Sequence, residues 1–458
     1  MRVIYTWLIR LAVPFAFAVV LWRGVRDRSY WQGLAERFGF VRPLPGPSIW
    51  VHAVSLGEMS AAAPLVRALH ARYPQLPLVL TAATPAGRAR ARGLFAAIAD
   101  VRFLPYDTPG SVRRFLERSR PRIAIIMETE LWPNLFRECE HRGIPVVLAS
   151  ARLSEKSVGH YRRFGKLFAG VFTKNVTVAA QSAPDAERFI SIGATSDQTR
   201  AIGNVKFDLG TDAGIIETGK ILRAAYGASR PVWVAGSTHA GEEEQLLEAH
   251  ALLQAHRPDA LLLLAPRHKD RFAAVADLLT RRGIKFARRS GMARGAAPPM
   301  ETAVLPMDTV VLPMETAVLL VDTMGELAAL YASADVAFVG GSLTAVGGHN
   351  LLEPAALGLP VLTGPSHENS KEIALLLLRR GAALQVANAQ DLAALLQRLL
   401  DDHADRRRIG VIGKDIVESN RGSVERLLAL IEPALIDPSL PGAHPSAAGA
   451  QAYPSAGR

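Results

Sequence analysis

The sequence predicts an α/β protein built from two consecutive doubly wound halves behind an apolar amino-terminal helix. Short continuous apolar runs alternate with helical patterns, the mark of parallel strands covered on both faces. The alternation stops and then restarts near Arg230. Ahead of both halves lies one long, largely apolar stretch.

That stretch, residues 3–22 (VIYTWLIRLAVPFAFAVVLW), is apolar except for Thr6 and Arg10. About twenty helical residues cross a bilayer core. Arg10 is costly near mid-membrane, so a short span and a helix lying in the interface both stand. A cleaved secretory signal needs small residues after the apolar run, whereas this run ends in Trp22, Arg23, Arg26 and Arg28. Those arginines favour keeping the downstream chain on the cytoplasmic side and attract anionic headgroups. Residues 1–42 are therefore expected to form a membrane anchor and basic segment.

After Pro43-Leu44-Pro45-Gly46-Pro47, strands are expected at 48–54, 76–83, 101–106, 122–127, 144–149 and 176–181. Together they make a first domain over 43–215. Further strands are expected at 232–236, 260–266, 317–322, 336–341 and 360–364, with helices at 391–400 and 422–431. They make a second domain over 216–432. Ligands in such sheets bind beyond the carboxyl ends of the strands, and two facing halves would enclose a cleft. Residues 299–319 hold a local repeat, PMETAVL, PMDTVVL, PMETAVL. A proline opens each unit, which excludes a continuous helix; the units read as duplicated copies of one strand, carried as a loop. The Pro-, Gly-, Ser- and Ala-rich tail, 433–458, is expected to be disordered.

With 458 residues, 49% of them hydrophobic, the chain can bury a core in each half. Its formal charge of +11 favours an anionic partner. Nucleic acid is disfavoured, because the arginines are scattered and no aromatic-and-basic stripe appears. Cys139 is the only cysteine, so no intrachain disulfide can form.

Candidate chemistry sits at strand ends. In HAVSLGE (52–58) a strand ends, Gly57 permits a turn, and Glu58 stands where a helix begins. A carboxylate there can accept a proton from an acceptor hydroxyl; it also suits an ordinary helix-start acid. METELWPN (127–134) puts Glu128 and Glu130 either side of Thr129 at the corresponding edge, where capping acids are equally at home. GNVKFD (203–208) offers Lys206, a cation for a cleft or for solvent. In the second half, GSTHAGEEE places Ser237 and Thr238 at a strand-to-helix turn, and APRHKDR places Arg267 at the next strand end. Arginine there can clamp a phosphate. VGGSLTAVGGHNLLEP (339–354) brackets another strand end with glycine pairs. Backbone N–H groups at 347–350 would face a phosphate, and Glu353 would accept ribose hydroxyls. His52, His239, His268 and His349 lack metal-ligand spacing and read as turn residues or minor contacts.

These stretches, with SARLSEKS, DTMGEL, FVGGSL and GPSHENSKEI, resemble in kind and order the transferases of 3-deoxy-D-manno-octulosonic acid (Kdo) in lipopolysaccharide synthesis. The resemblance covers roughly residues 30–425. It implies a GT-B fold, two Rossmann-like domains with the active site between them. It implies an inner-membrane anchor on the cytoplasmic face. The amino-terminal half would receive the lipid acceptor, lipid IVA, and the other half the donor, CMP-Kdo. Glu58 matches the family's general base, and Glu128 and Lys206 match residues assigned to transition-state stabilisation. Pro266, Arg267, Met324, Gly325, Glu326, Gly348, Asn350, Leu351, Leu352 and Glu353 match stretches that hold CMP, with Ser237 and Thr238 beside them. No cofactor and no metal are expected, since CMP carries a single phosphate. Ser150 departs from the family's frequent asparagine, and Ser366-His367-Glu368 from its common His-Thr-Phe. Two rival readings remain: a GT-B transferase using a UDP-sugar and a lipid-linked acceptor, and a non-catalytic membrane-tethered nucleotide-binding protein.

Overall fold

The computed structural model describes residues 2–209, 213–292 and 311–436. The chain forms two compact units. The first holds the described residues through Val205 together with those from Gly422 onward, and the second holds Lys206–Arg421.

The first unit is a seven-stranded sheet of β1 (Ser48–His52), β2 (Leu78–Ala82), β3 (Ala99–Phe103), β4 (Pro121–Met127), β5 (Val146–Ala151), β6 (Val176–Ala180) and β7 (Thr199–Ala201). The order is β3-β2-β1-β4-β5-β6-β7, and every pairing is parallel. Alternate side chains feed two cores, as a strand's period of two requires. Ile49, Val51, Ile123 and Ile125 join one face, while Trp50, Ala124 and Ile126 join the other. Both faces are dry, so the strands read as continuous apolar runs. Trp50 pins β1: its indole donates to Thr81 Oγ1 at 2.8 Å and packs edge-on to Phe115 at 4.9 Å. Such a ring pair adds ~1 kcal/mol beyond burial. Helices start on a repeated device, a Ser or Thr cap whose side chain accepts from the third helical N–H. Thr84 and Thr108 do this with a proline next in the chain.

The second unit contains β8 (Val232–Thr238), β9 (Leu261–Pro266), β10 (Phe286–Arg288), β11 (Val318–Leu320), β12 (Val336–Val339), β13 (Val361–Thr363) and β14 (Ala383–Gln385). Its order is β10-β11-β9-β8-β12-β13-β14, again wholly parallel. Trp233 and Ala235 face one core, and Val232 and Val234 face the other.

The structure departs from several expectations. The units meet at Val205/Lys206 rather than at 215/216. The helix expected to close the second domain, Ser423–Leu435, belongs to the first unit, where Leu427, Leu428 and Ile431 complete the core under β1 and β4. It also carries residues 433–435, which composition alone places in the tail; 437–458 lie outside the described residues. The helix after β1 is broken in two, Leu56–Ala61 and Ala63–Arg72, with Pro64 in the first turn of the second. Of the repeat, only 311–319 are described. Its last copy enters β11, and the buried Arg230 guanidinium binds the carbonyls of Pro313 at 3.4 Å and Met314 at 3.1 Å.

Candidate functional site

In the first sheet, strands are added on one side of β1 and then, from β4, on the other. Ligands in doubly wound sheets bind at the carboxyl ends flanking such a reversal. β1 leads into Ser55, which caps Leu56–Ala61 by accepting from the Glu58 N–H at 3.3 Å. The Glu58 carboxylate reaches back, accepting from the Val54 N–H at 2.7 Å and from the Ser55 hydroxyl at 3.2 Å. This reciprocal bonding resembles a capping box, except that the carboxylate takes the N–H of Val54, one residue before the cap. Glu58 therefore does serve as a helix-start acid, and its half-buried carboxylate also stands at the strand mouth; the two roles do not exclude each other.

β4, the neighbour of β1, leads into the other acids. Glu128 takes φ 55°, an uncommon conformation for a side-chain-bearing residue, and donates its N–H to Ala149 O at 2.9 Å. Thr129 Oγ1 donates to Arg152 O. Glu130 comes next, and burial pushes its carboxyl up to about 7, assisted by the charges of Glu58 and Glu128 and opposed by the Trp132 side chain. Glu130 thus feels the charges of both Glu58 and Glu128, and the three acids follow the two strands that flank the reversal point. Lys206 lies in the short turn Val205–Phe207, where the chain enters the second unit. His52 is no turn residue: it is buried in β1, with Nδ1 2.9 Å from Thr81 Oγ1, and burial pushes its titration down to about 4.

The second sheet reverses between β8 and β12, and most of the remaining candidates gather at the carboxyl ends around that point. Ser237 has φ 60°, and Thr238 is fully buried, its hydroxyl 3.3 Å from Glu243. A Cβ on Gly340 would lie 2.5 Å from Ser237 O, so only glycine lets these two strand ends approach. The buried Glu242 carboxylate ties them together. It accepts from the N–H groups of Gly341 at 2.8 Å, Ser342 at 3.1 Å, Leu343 at 3.0 Å and His239 at 3.2 Å. Pro266 ends β9, and Arg267 comes directly after it, donating its N–H to Thr238 O at 3.0 Å.

Beside Arg267, His239 and His349 stack with their Nε2 atoms 2.7 Å apart, and His268 meets His239 edge-on. Burial pushes His349 down to about 4, with Arg267, His239 and His268 adding to the effect; His239 is lowered by burial and by His268, Arg267 and Arg271. Near neutral pH these two imidazoles are therefore uncharged, and the cations acting on them are those of Arg267 and Arg271.

The glycine-rich loop differs from its expected role. Two of the N–H groups expected to face a phosphate are bonded inside the protein, Gly347 to Ser366 Oγ at 3.0 Å and Gly348 to Gly341 O at 2.8 Å. Asn350 Oδ1 accepts from the Leu352 N–H at 3.1 Å, and its Nδ2 donates to Glu353 at 3.1 Å. The Leu351 and Leu352 side chains are buried in the core, so they shape the loop from beneath. After β11, Met324 is exposed, Gly325 has φ 92°, and Glu326 pairs with Arg289 at 2.9 Å and Thr323 at 3.1 Å.

Sequence reasoning gives no role to Glu242, reads His239, His268 and His349 only as turn residues or minor contacts without bringing them together, and does not single out Glu130 from its neighbour Glu128. Glu242 left one trace, three consecutive acids at 242–244 where a helix starts. The meeting of the histidines left none, because they come from three different strand ends.

Comparison with known proteins bears on this geometry. Residues 32–209 match the family model described as 3-deoxy-D-manno-octulosonic-acid transferase, and residues 312–415 match glycosyl transferases group 1. The chain is 38% identical to the 3-deoxy-D-manno-octulosonic acid transferase of Haemophilus influenzae, over 95% of this chain and 99% of that one. It is 36% identical to that of Bordetella pertussis, over 94% of this chain and 99% of the relative. In fold it is similar to the UDP-GlcNAc 2-epimerase of Neisseria meningitidis, with a TM-score of 0.54 at 13% identity, covering 85% of this chain and 100% of that one. Two Rossmann-like α/β units in one chain are the GT-B architecture, and at these identities over nearly the full length the chain belongs to the 3-deoxy-D-manno-octulosonic acid transferase family.

Proposed function

We propose that this Kdo transferase moves Kdo from CMP-Kdo to lipid IVA, inverts the anomeric centre and releases CMP. One observation supports the reading beyond the family: Glu58 follows β1 and Glu128 and Glu130 follow β4, the two strands that flank the reversal point of the first sheet. The acceptor hydroxyl attacks the anomeric carbon from the face opposite CMP, and a new C–O bond forms there. Glu58 takes the hydroxyl proton. The bond from that carbon to the CMP phosphate oxygen breaks, and its electron pair leaves with CMP. Bond breaking leads, so the sugar ring gains positive charge, which Glu128 offsets. Arg267 meets the phosphate charge, Ser237, Thr238 and Asn350 shape the turn and loop around it, and Glu353 accepts the ribose hydroxyls. Lys206 holds a donor or acceptor anion. Preorganised charges of this sort act where charge develops in the transition state.

The amino-terminal helix, Arg2–Arg26, is long and apolar enough to engage a bilayer. In this reading it holds the enzyme at the cytoplasmic face of the inner membrane, where the acceptor resides and encounter is favoured. The test is turnover of acylated disaccharide by the purified full-length enzyme, with CMP-Kdo formed in situ or with UDP-sugars. CMP release in step with a product heavier by one or more Kdo units is expected. Turnover with a UDP-sugar alone, or none with either donor, overturns the proposal.

A further inference from the structure

The amino-terminal helix does not stand apart from the first unit. Its partly covered residues are Tyr5, Thr6, Ile9, Val13, Phe17 and Val20, with Gly24 buried, a stripe at helical spacing along its whole length. At the amino end the Tyr5 hydroxyl donates to Asp107 Oδ2 at 2.8 Å, and Thr6 Oγ1 donates to Asn134 Oδ1 at 2.9 Å. Asp107 is itself built into the unit: its carboxylate accepts the N–H groups of Asn134 at 3.1 Å and Leu135 at 2.8 Å, at the start of helix Pro133–His141. In the middle Phe17 packs edge-on to Phe38 at 5.2 Å. At the carboxyl end Trp31 Nε1 donates to Leu21 O at 3.0 Å, and its ring lies where any side chain on Gly24 would fall.

The opposite face is apolar and open. Ile4, Leu8, Leu11, Phe15, Val19 and Trp22 are all exposed, Phe15 by 76%. Arginines stand beside interfacial aromatic rings, Arg10 over Trp7 at 5.1 Å and Arg26 over Trp22 at 5.3 Å. A helix spanning the bilayer would carry Tyr5 and Thr6 to the far side, about 30 Å from Asp107 and Asn134, and place Arg10 in hydrocarbon. A helix lying in the interface keeps every contact above, sinks its apolar face among the acyl chains and leaves its arginines among anionic headgroups. We infer that the helix is an in-plane paddle, docked along its length on the first unit and pressed by its outer face onto an anionic bilayer surface. The inference rests on the reading that the enzyme works at a membrane.

Inverted inner-membrane vesicles, cytoplasmic face outward, test it. Full-length enzyme carrying an epitope tag before Met1 is treated with protease from outside. In-plane docking predicts complete loss of the tag without detergent. A tag protected until detergent is added, with the enzyme still on the vesicles, overturns the in-plane geometry and leaves membrane attachment standing. Enzyme that does not sediment with the vesicles overturns both. The Leu8→Asp, Phe15→Asp double variant alters only exposed positions. It is expected to lower the bound fraction at least tenfold with an unchanged melting temperature; unchanged binding contradicts the paddle.

Discussion

Position 58 offers a clean separation of chemistry from structure. Its carboxylate accepts from the Val54 N–H at 2.7 Å and from Ser55 at 3.2 Å, so Glu58→Ala removes a cap as well as the assigned base. Losing such a cap costs ~1 kcal/mol, or about 2–4 °C in the melting temperature of a unit this size. Glu58→Gln keeps an acceptor oxygen for Val54 and stays far nearer the parent in stability, but its amide cannot take a proton. A positioned general base contributes roughly 10²–10⁴-fold, which is about 3–5 kcal/mol of barrier at 1.36 kcal/mol per tenfold. Both variants should therefore lose at least a hundredfold in kcat, while only the alanine variant melts early. Steady-state transfer assays and calorimetry on the same preparations decide it. A glutamine variant that turns over within a few-fold of the parent would reduce Glu58 to a helix cap and refute the assigned base.

Neighbouring groups carry further predictions. Glu130 titrates near 7 when folded, against an ordinary value of 4.5, so its protonated form is favoured by the fold. Its contribution to stability is full below about 4.5 and is lost as pH rises through about 7. Glu130→Gln should then gain stability relative to the parent at pH 8 and lose that advantage at pH 4, as read by denaturant midpoints across pH; a gap independent of pH would contradict the placement. Glu242→Ala strands four backbone N–H groups, three of them in the loop after β12. At ~1 kcal/mol or more for each buried donor, the loss is on the order of 3 kcal/mol or more, and KM for CMP-Kdo should rise with it; a parent-like melting curve would sink the tie. Gly348 has φ 70°, and a Cβ there would lie 2.7 Å from Ser366 O, so Gly348→Ala should weaken donor binding at least tenfold by equilibrium titration with CMP while leaving the first unit's melting unchanged.

Most of the architecture was legible because a parallel strand buried on both faces writes itself as an unbroken apolar run. SIWVH, RIAIIM and LLLLAP cannot easily be anything else. Three strands left no such mark. Thr199–Ala201, Phe286–Arg288 and Ala383–Gln385 are three residues long, and two of them carry an arginine. Each edges its sheet, where one neighbour is missing and burial is incomplete, so no apolar run is needed. The return of Ser423–Leu435 to the first unit was hidden for another reason: an amphipathic pattern states that a face is buried, not against what. At the sites, motifs placed Glu58, Glu128 and Arg267 at strand ends, since a strand leading through a turn into a helix has one carboxyl edge. Pattern could not tell which of three successive acids, 242–244, is swallowed beneath a loop, nor that His239, His268 and His349 meet. Those facts depend on contacts between segments far apart in the chain.

The proposed reaction is a single displacement at the anomeric carbon of Kdo, with a protein carboxylate taking the acceptor proton. The anomeric configuration of the product, read by NMR after one turnover of CMP-Kdo with lipid IVA, addresses it most directly. Configuration opposite to that of the donor, with one CMP released per linkage formed, is the predicted result. A product that retains the donor's configuration would contradict it, because a single attack from the face opposite the leaving group inverts the carbon attacked.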